Sequence, residues 1–178
     1  KQTHGANSTI RRIAELLHRA IPYPALLVLE DEDRLLLSMA HIRWAQKEAD
    51  KTVLDGAVTL TALRPEGDEG GAVESPAQQA FLEALPLHRQ PRTNLYALYQ
   101  GWIDTLGAWE AVAVCGRFVL SASPEHAAQR RAALQRCREL DALLSQLRST
   151  ATKEKQMARQ VAANLEITRN DAYHLATM

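Results

Sequence analysis

The sequence predicts an α+β protein that ends in one long helix. Three observations carry this: two strand-length apolar runs flank an acidic turn near residue 32, an aromatic-rich helical face follows near residue 100, and no Gly or Pro occurs after Pro124. Of 178 residues, 46% are hydrophobic and 24% charged, the composition of a folded globular chain.

The first helix is expected to be capped by Asn7 or Ser8 and to carry Ile10, Ile13, Leu16 and Leu17 on its buried face. Pro22 and Pro24 end it, because each removes a donor and holds the preceding residue extended. Residues 25–30 and 34–42 read as the strands of a hairpin around Asp31-Glu32-Asp33. A third strand is expected over 52–63, with Gly56 as a bulge or tight corner. Both faces of the first two strands are apolar. Helices should therefore cover one face, and upstream sequence or a partner the other. That upstream sequence is expected because the chain opens at Lys1 and not at Met.

The Gly-rich, acidic stretch 64–74 lacks periodicity and reads as a solvated loop. It divides a small α/β domain over 1–63 from a helical subdomain over 75–122, with the long helix over 123–178. Ser75, Pro76 and Gln78 form an N-cap, a first-turn proline and a capping-box partner. A helix over about 93–113 then places Leu95, Leu98, Tyr99, Trp102, Ile103, Leu106 and Trp109 on one face, and Gly116 interrupts it. Ser123-Pro124 caps the last helix. Its ~50 residues would span about 75 Å at 1.5 Å each.

Along that helix Leu140, Leu144, Leu147, Ala151, Glu154, Ala158, Val161, Leu165, Thr168, Ala172 and Leu175 alternate steps of four and three residues. This is a heptad seam over about five repeats. Its small and polar members argue against a self-sufficient zipper. A partner helix, or a hairpin doubling back near Ser149-Thr150, fits better, so Leu140, Leu144, Leu147, Ala151, Ala158, Val161 and Leu165 are the expected partner-binding residues. The competing reading is a solvated helix with chance spacing.

Charge and chemistry narrow the function classes. Basic and acidic residues balance at 21 each, yet residues 1–116 hold 11 basic and 15 acidic side chains while 117–178 hold 10 and 6. The C-terminal part is mildly basic. Arg43, Lys153, Lys155 and Arg159 are the nucleic-acid candidates, in a wider basic set running from Arg130 to Arg169, with Trp44 or Tyr96 as base platforms. The ordinary role of such charges is the solvated flank of a helix. Two cysteines, Cys115 and Cys137, fit a reduced cytoplasmic compartment and no zinc site. No apolar run approaches a membrane span.

The six histidines are scattered, and no cofactor or metal is expected. His41, at a strand end, is the one placed to reach a shared surface. Its ordinary role would be a bond to a nearby backbone carbonyl. The acids Glu30, Asp31, Glu32 and Asp33 suggest a divalent cation, but the strand after them, Leu35-Leu36-Leu37-Ser38-Met39-Ala40, lacks the acid and lysine that metal-dependent nucleases place there. A solvated turn is the simpler role. No phosphate loop, nucleophile elbow or Cys/His pair is present.

Four segments together resemble a known family: Leu16-Leu17-His18-Arg19-Ala20-Ile21-Pro22-Tyr23-Pro24, Leu37-Ser38-Met39-Ala40-His41-Ile42-Arg43-Trp44, Gln90-Pro91-Arg92-Thr93-Asn94-Leu95-Tyr96-Ala97-Leu98-Tyr99-Gln100-Gly101-Trp102 and Lys153-Glu154-Lys155-Gln156-Met157-Ala158-Arg159-Gln160-Val161. The chain resembles a bacterial domain-of-unknown-function family, number 4391, over nearly its whole length. It departs where members tend to carry Lys at the position of Ile42, and after Arg169. The resemblance implies a longer N-terminal region, and accessory proteins encoded beside DNA methyltransferases and helicases in restriction-type defence loci, without catalytic residues. The expected function is a non-catalytic subunit of such an assembly, docking by its coiled-coil helix to itself or to a protein such as a methyltransferase or helicase. A metal-dependent nuclease with part of its site upstream, or a DNA-contacting module, is the alternative.

Overall fold

The computed structural model describes residues 3–31, 34–46, 51–63, 75–153 and 165–170. The fold is α+β, with a small antiparallel sheet, helices around it and a long helix near the C-terminus. Two compact units divide the chain, one up to Leu120 and one from Ser121.

In the first unit α1 (Thr3–Ala20) leads into the antiparallel pair β1 (Leu27–Asp31) and β2 (Arg34–Met39). Strands β3 (Ile42–Trp44), β4 (Thr52–Leu54) and β5 (Thr59–Ala62) follow. Each of the two longer expected strands is broken. The 34–42 run bends at Ala40-His41 into β2 and β3, and the 52–63 run bends at Gly56 into β4 and β5, with Gly56 at φ 95° where a side chain would be strained. The result is a three-stranded sheet in the order β1-β2-β5 and a β3-β4 ribbon, all antiparallel.

Strand β2 lies between two cores because its side chains alternate faces. Leu37 and Met39 pack with Phe81, Tyr99, Ile103, Leu106 and Trp109 from α2 (Pro76–Ala84) and α3 (Leu95–Glu110). On the opposite face Leu36 and Ala40 pack with Ile10 and Ala14 of α1, together with Val58 and Leu60. Helices thus cover both faces, and α1 occupies the side expected to await upstream sequence or a partner. The buried line of α1 is also not the expected one. Ile10, Ala14 and His18, four residues apart, face inward, whereas Ile13 and Leu16 are 46% and 57% exposed. Helix α1 begins ahead of Asn7 and Ser8, so neither caps it.

Because α2, α3 and the sheet share one core, residues 75–122 do not form a subdomain separate from 1–63. Phe81 stacks on Trp109 with ring centroids 4.8 Å apart, and Trp109 Nε1 donates to Ala62 O at 2.7 Å. The stretch 64–74, expected as the boundary, lies outside the described residues. The N-cap of α2 behaves as the sequence suggests, Ser75 Oγ accepting from Gln78 N with Pro76 in the first turn, and α3 has a cap the sequence reading did not name, Asn94 Oδ1 accepting from Ala97 N. A short α4 (Val112–Cys115) closes on Gly116, at φ 68°.

The second unit contains α5 (Pro124–Lys153), unbroken through Ser149 and Thr150, so the chain does not turn back there. At 30 residues it is about 45 Å long.

Candidate functional site

The bend between β2 and β3 brings His41 against α3, 59 residues away in sequence. Helix α3 is aromatic and apolar along most of its length, but Gln100 and Asp104, one turn apart, interrupt it with polar side chains. Gln100 Nε2 donates to Asp104 Oδ1 at 2.8 Å. An ionised carboxylate only accepts, so this bond fixes which end of the amide is which. Gln100 Oε1 therefore faces His41 Nε2, at 2.8 Å, and that nitrogen carries the hydrogen. In the neutral ring Nδ1 is left as an acceptor.

Two tyrosines hold the imidazole plane. Tyr96 stacks on it at 4.6 Å and 19°, and Tyr99 meets it edge-on at 5.4 Å and 65°. Tyr99 is itself pinned, its hydroxyl donating to Ala25 O at 2.7 Å and accepting from Ala40 N at 3.3 Å. Burial pushes the Tyr99 phenol above its ordinary value, against the opposing pull of the bonds to Ala40 and Ala25. Tyr99 thus stays a neutral donor that bolts α3 to the start of β1. What results is an imidazole of one tautomer and one orientation, able to accept a hydrogen bond or a proton at Nδ1. It is bonded to a side-chain amide and not to the backbone carbonyl expected for it.

A second histidine is structural. His18 Nε2 lies 3.0 Å from Ser38 Oγ, with both residues buried between α1 and β2. Burial lowers its pKa below the ordinary value, and hydrogen bonding to the Ser38 backbone offsets this in part.

The remaining candidates scatter. Arg43 Nε lies 3.6 Å from Asp55 Oδ1 at the surface, so its charge already has a partner. Lys153 ends α5 and is exposed, while Lys155 and Arg159 lie outside the described residues. Trp44 and Tyr96 are exposed, the latter on His41. In the acidic turn Asp31 pairs with Arg34, and residues 32 and 33 lie outside the described residues. Among the described residues no three His, Cys, Asp or Glu side chains gather into a metal cluster.

Of the seam, Leu140, Leu144 and Ala151 are buried and Leu147 is half-buried. The buried line continues backward through Cys137 and Leu134 to Ala127. Leu165 is 67% exposed, Leu143 beside the seam is 40% exposed, and Ala158 and Val161 lie outside the described residues. Reading leucines by period alone missed this difference. Sequence spacing marks a stripe but not whether the chain covers it.

No helix among the described residues is long and apolar enough to cross a membrane. No curated protein and no solved structure matches the chain. The family model described as a domain of unknown function (DUF4391) matches residues 4–173, so the chain belongs to that family.

Proposed function

We propose that this chain is a non-catalytic accessory subunit of a bacterial restriction-modification or phage-defence assembly in the cytoplasm, docking to a protein partner through its C-terminal helical segments. The association with DNA methyltransferases and helicases that the family resemblance implies supplies the class of partner. The observation that carries the docking reading is the unequal exposure of the C-terminal leucines: Leu140 and Leu144 are covered, whereas Leu143 and Leu165 are left in water. A covered leucine serves stability. An exposed one offers a partner a share of the about 1.5–3 kcal/mol that fully burying a leucine contributes, in proportion to its exposure. The docking residues are thus Leu143 and Leu165, and Leu140, Leu144 and Ala151 support the helix that presents them.

The test is co-purification of the chain with the methyltransferase or helicase encoded beside it. Leu143→Lys with Leu165→Lys is expected to abolish retention of the partner while helix content by circular dichroism stays at the parent level. Retention at the parent level by this double variant would remove the reading.

A further inference from the structure

The edge of the sheet carries an inference that is independent of the C-terminal segments. Leu63 N donates to Leu35 O at 2.8 Å, so the odd-numbered residues of β2 turn their main-chain groups toward β5 and the even-numbered ones toward β1. Through the pairs Leu27↔Ser38, Leu29↔Leu36 and Asp31↔Arg34, the inward-facing residues of β1 are 27, 29 and 31. Val28 and Glu30 therefore point their N–H and C=O groups away from the sheet, and β1 is the outer strand in the order β1-β2-β5.

Natural sheets blunt such an edge with lysine, proline, a bulge or a covering element. Residues 25–31 read Ala-Leu-Leu-Val-Leu-Glu-Asp, without lysine or proline, and β1 pairs with β2 in unbroken register. Among the described residues nothing pairs with the outer main chain of β1. Val28 is 59% exposed although it shares a face with its cross-strand partner Leu37, and Leu26, two residues before it, is 45% exposed. Glu30 stands exposed two residues further along the same face, and among the described residues no cation pairs with it. The feature is an apolar strand with open main-chain donors and acceptors and one unneutralised carboxylate.

We propose that this edge takes up an extended segment of a protein partner as an added antiparallel strand, and that the segment carries a lysine or arginine where it passes Glu30. The open main-chain groups select an extended chain over a helix. The carboxylate selects a heterologous strand over a second copy, because β1 paired antiparallel with itself about Val28 sets Glu30 opposite Leu26, with no basic residue to meet it.

The probe is a soluble seven-residue peptide that alternates valine and threonine and carries one lysine, beside the same peptide with glutamate in place of lysine. Amide hydrogen exchange is followed by NMR on the full chain. In the free protein the Val28 and Glu30 amides are expected to exchange far faster than those of Leu27 and Leu29. The lysine peptide should slow Val28 and Glu30 about tenfold or more, and the glutamate peptide should bind at least about threefold more weakly. Val28→Pro removes an outward N–H and leaves the bonds to β2 in place, so it should abolish binding while Leu27 and Leu29 stay protected. Val28→Lys gives the same loss without a proline. The proposal is overturned if the peptides leave Val28 and Glu30 unprotected, or if both variants bind like the parent. It is also overturned if light scattering shows a dimer whose edge amides are already protected without peptide. Partner retention through Leu143 and Leu165 is scored separately, so failure of one reading leaves the other standing.

Discussion

The two compact units of this chain hold their structure by different means. In the first, buried polar atoms reach across the sequence to main-chain atoms: Tyr99 to Ala25, Trp109 to Ala62 and Trp102 to Leu85, over 74, 47 and 17 residues. Along α5, Gln135 donates to Glu139, and Thr150 and Thr152 donate to the carbonyls of Gln146 and Arg148, each four residues away. A bond across 74 residues specifies a fold, because only one arrangement makes it. A bond across one helical turn specifies only that a helix is present. The long-range bonds of the first unit thus fix side chains in place, whereas these bonds along α5 fix only the helix.

The largest expected effect tests that contrast in packing. Phe81 is fully buried, stacked on Trp109 and set edge-on to Phe118 at 5.8 Å. Phe81→Ala should cost about 3–5 kcal/mol in urea unfolding, through lost transfer energy and the cavity left behind. On α5, Leu143→Ala should cost well under about 1 kcal/mol, since the side chain already meets water. Equal losses at the two positions would mean that α5 is packed as tightly around Leu143 as the first unit is around Phe81.

Much of this division was legible in the sequence, and the part that was not has a physical cause. Local signals read true: Ser75-Pro76 capped α2 and Gly56 turned a corner, whereas Asp31, expected in the turn, ends β1. Each is decided by neighbours a few residues away. The face of α1 was misread because its inward line contains Ala14 and His18, while the larger Ile13 and Leu16 point outward. Size suggested one face and the shape of the sheet chose the other. The stretch 64–74 lies outside the described residues, yet the elements on its two sides share one core. A three-stranded sheet cannot cover its own face, so the aromatic residues of α2 and α3 were committed to it. Of the His41 site only the histidine was visible. The usable signal was Gln100 and Asp104, a polar pair one turn apart on a largely apolar helix, but nothing local linked them to a strand end 59 residues earlier.

His18 sharpens the contrast at intermediate size. It is 2% exposed and bonded to Ser38, and burial holds its folded pKa below the ordinary value near 6.5. The unfolded chain therefore takes up a proton at a pH where the folded chain does not. Its contribution to stability is fully present above about pH 6.5 and falls as pH drops from there to the folded pKa, by up to about 1.4 kcal/mol per pH unit. Parent and His18→Gln should thus diverge, the parent losing more stability than the variant between pH 7.5 and 5.5 in urea titrations. Parallel losses in the two proteins would show that His18 charges in place without leaving the core.

The smallest effect concerns the direction of a single hydrogen, and it asks whether long-range bonds in the first unit fix chemistry as well as position. Asp104 can only accept, so it holds the Gln100 amide with its oxygen toward His41, and Gln100 in turn keeps the hydrogen on Nε2. Replacing Asp104 by Asn removes that constraint, since an amide can donate or accept and lets Gln100 turn over. The difference at stake is one neutral hydrogen bond, about 0.5–1.5 kcal/mol, enough to turn one tautomer into a mixture without disturbing the fold. Long-range proton–nitrogen correlation spectra at pH 8 read the two ring nitrogens directly. The parent should show the Nε2–H form of His41 alone, and Asp104→Asn a measurable share of the Nδ1–H form. If the parent already holds the hydrogen on Nδ1, the Gln100 amide does not set the ring. If Asp104→Asn leaves the spectrum unchanged, Tyr96 and Tyr99 orient the imidazole without help from the polar pair, and His41 is a packing residue whose open nitrogen follows from its position alone.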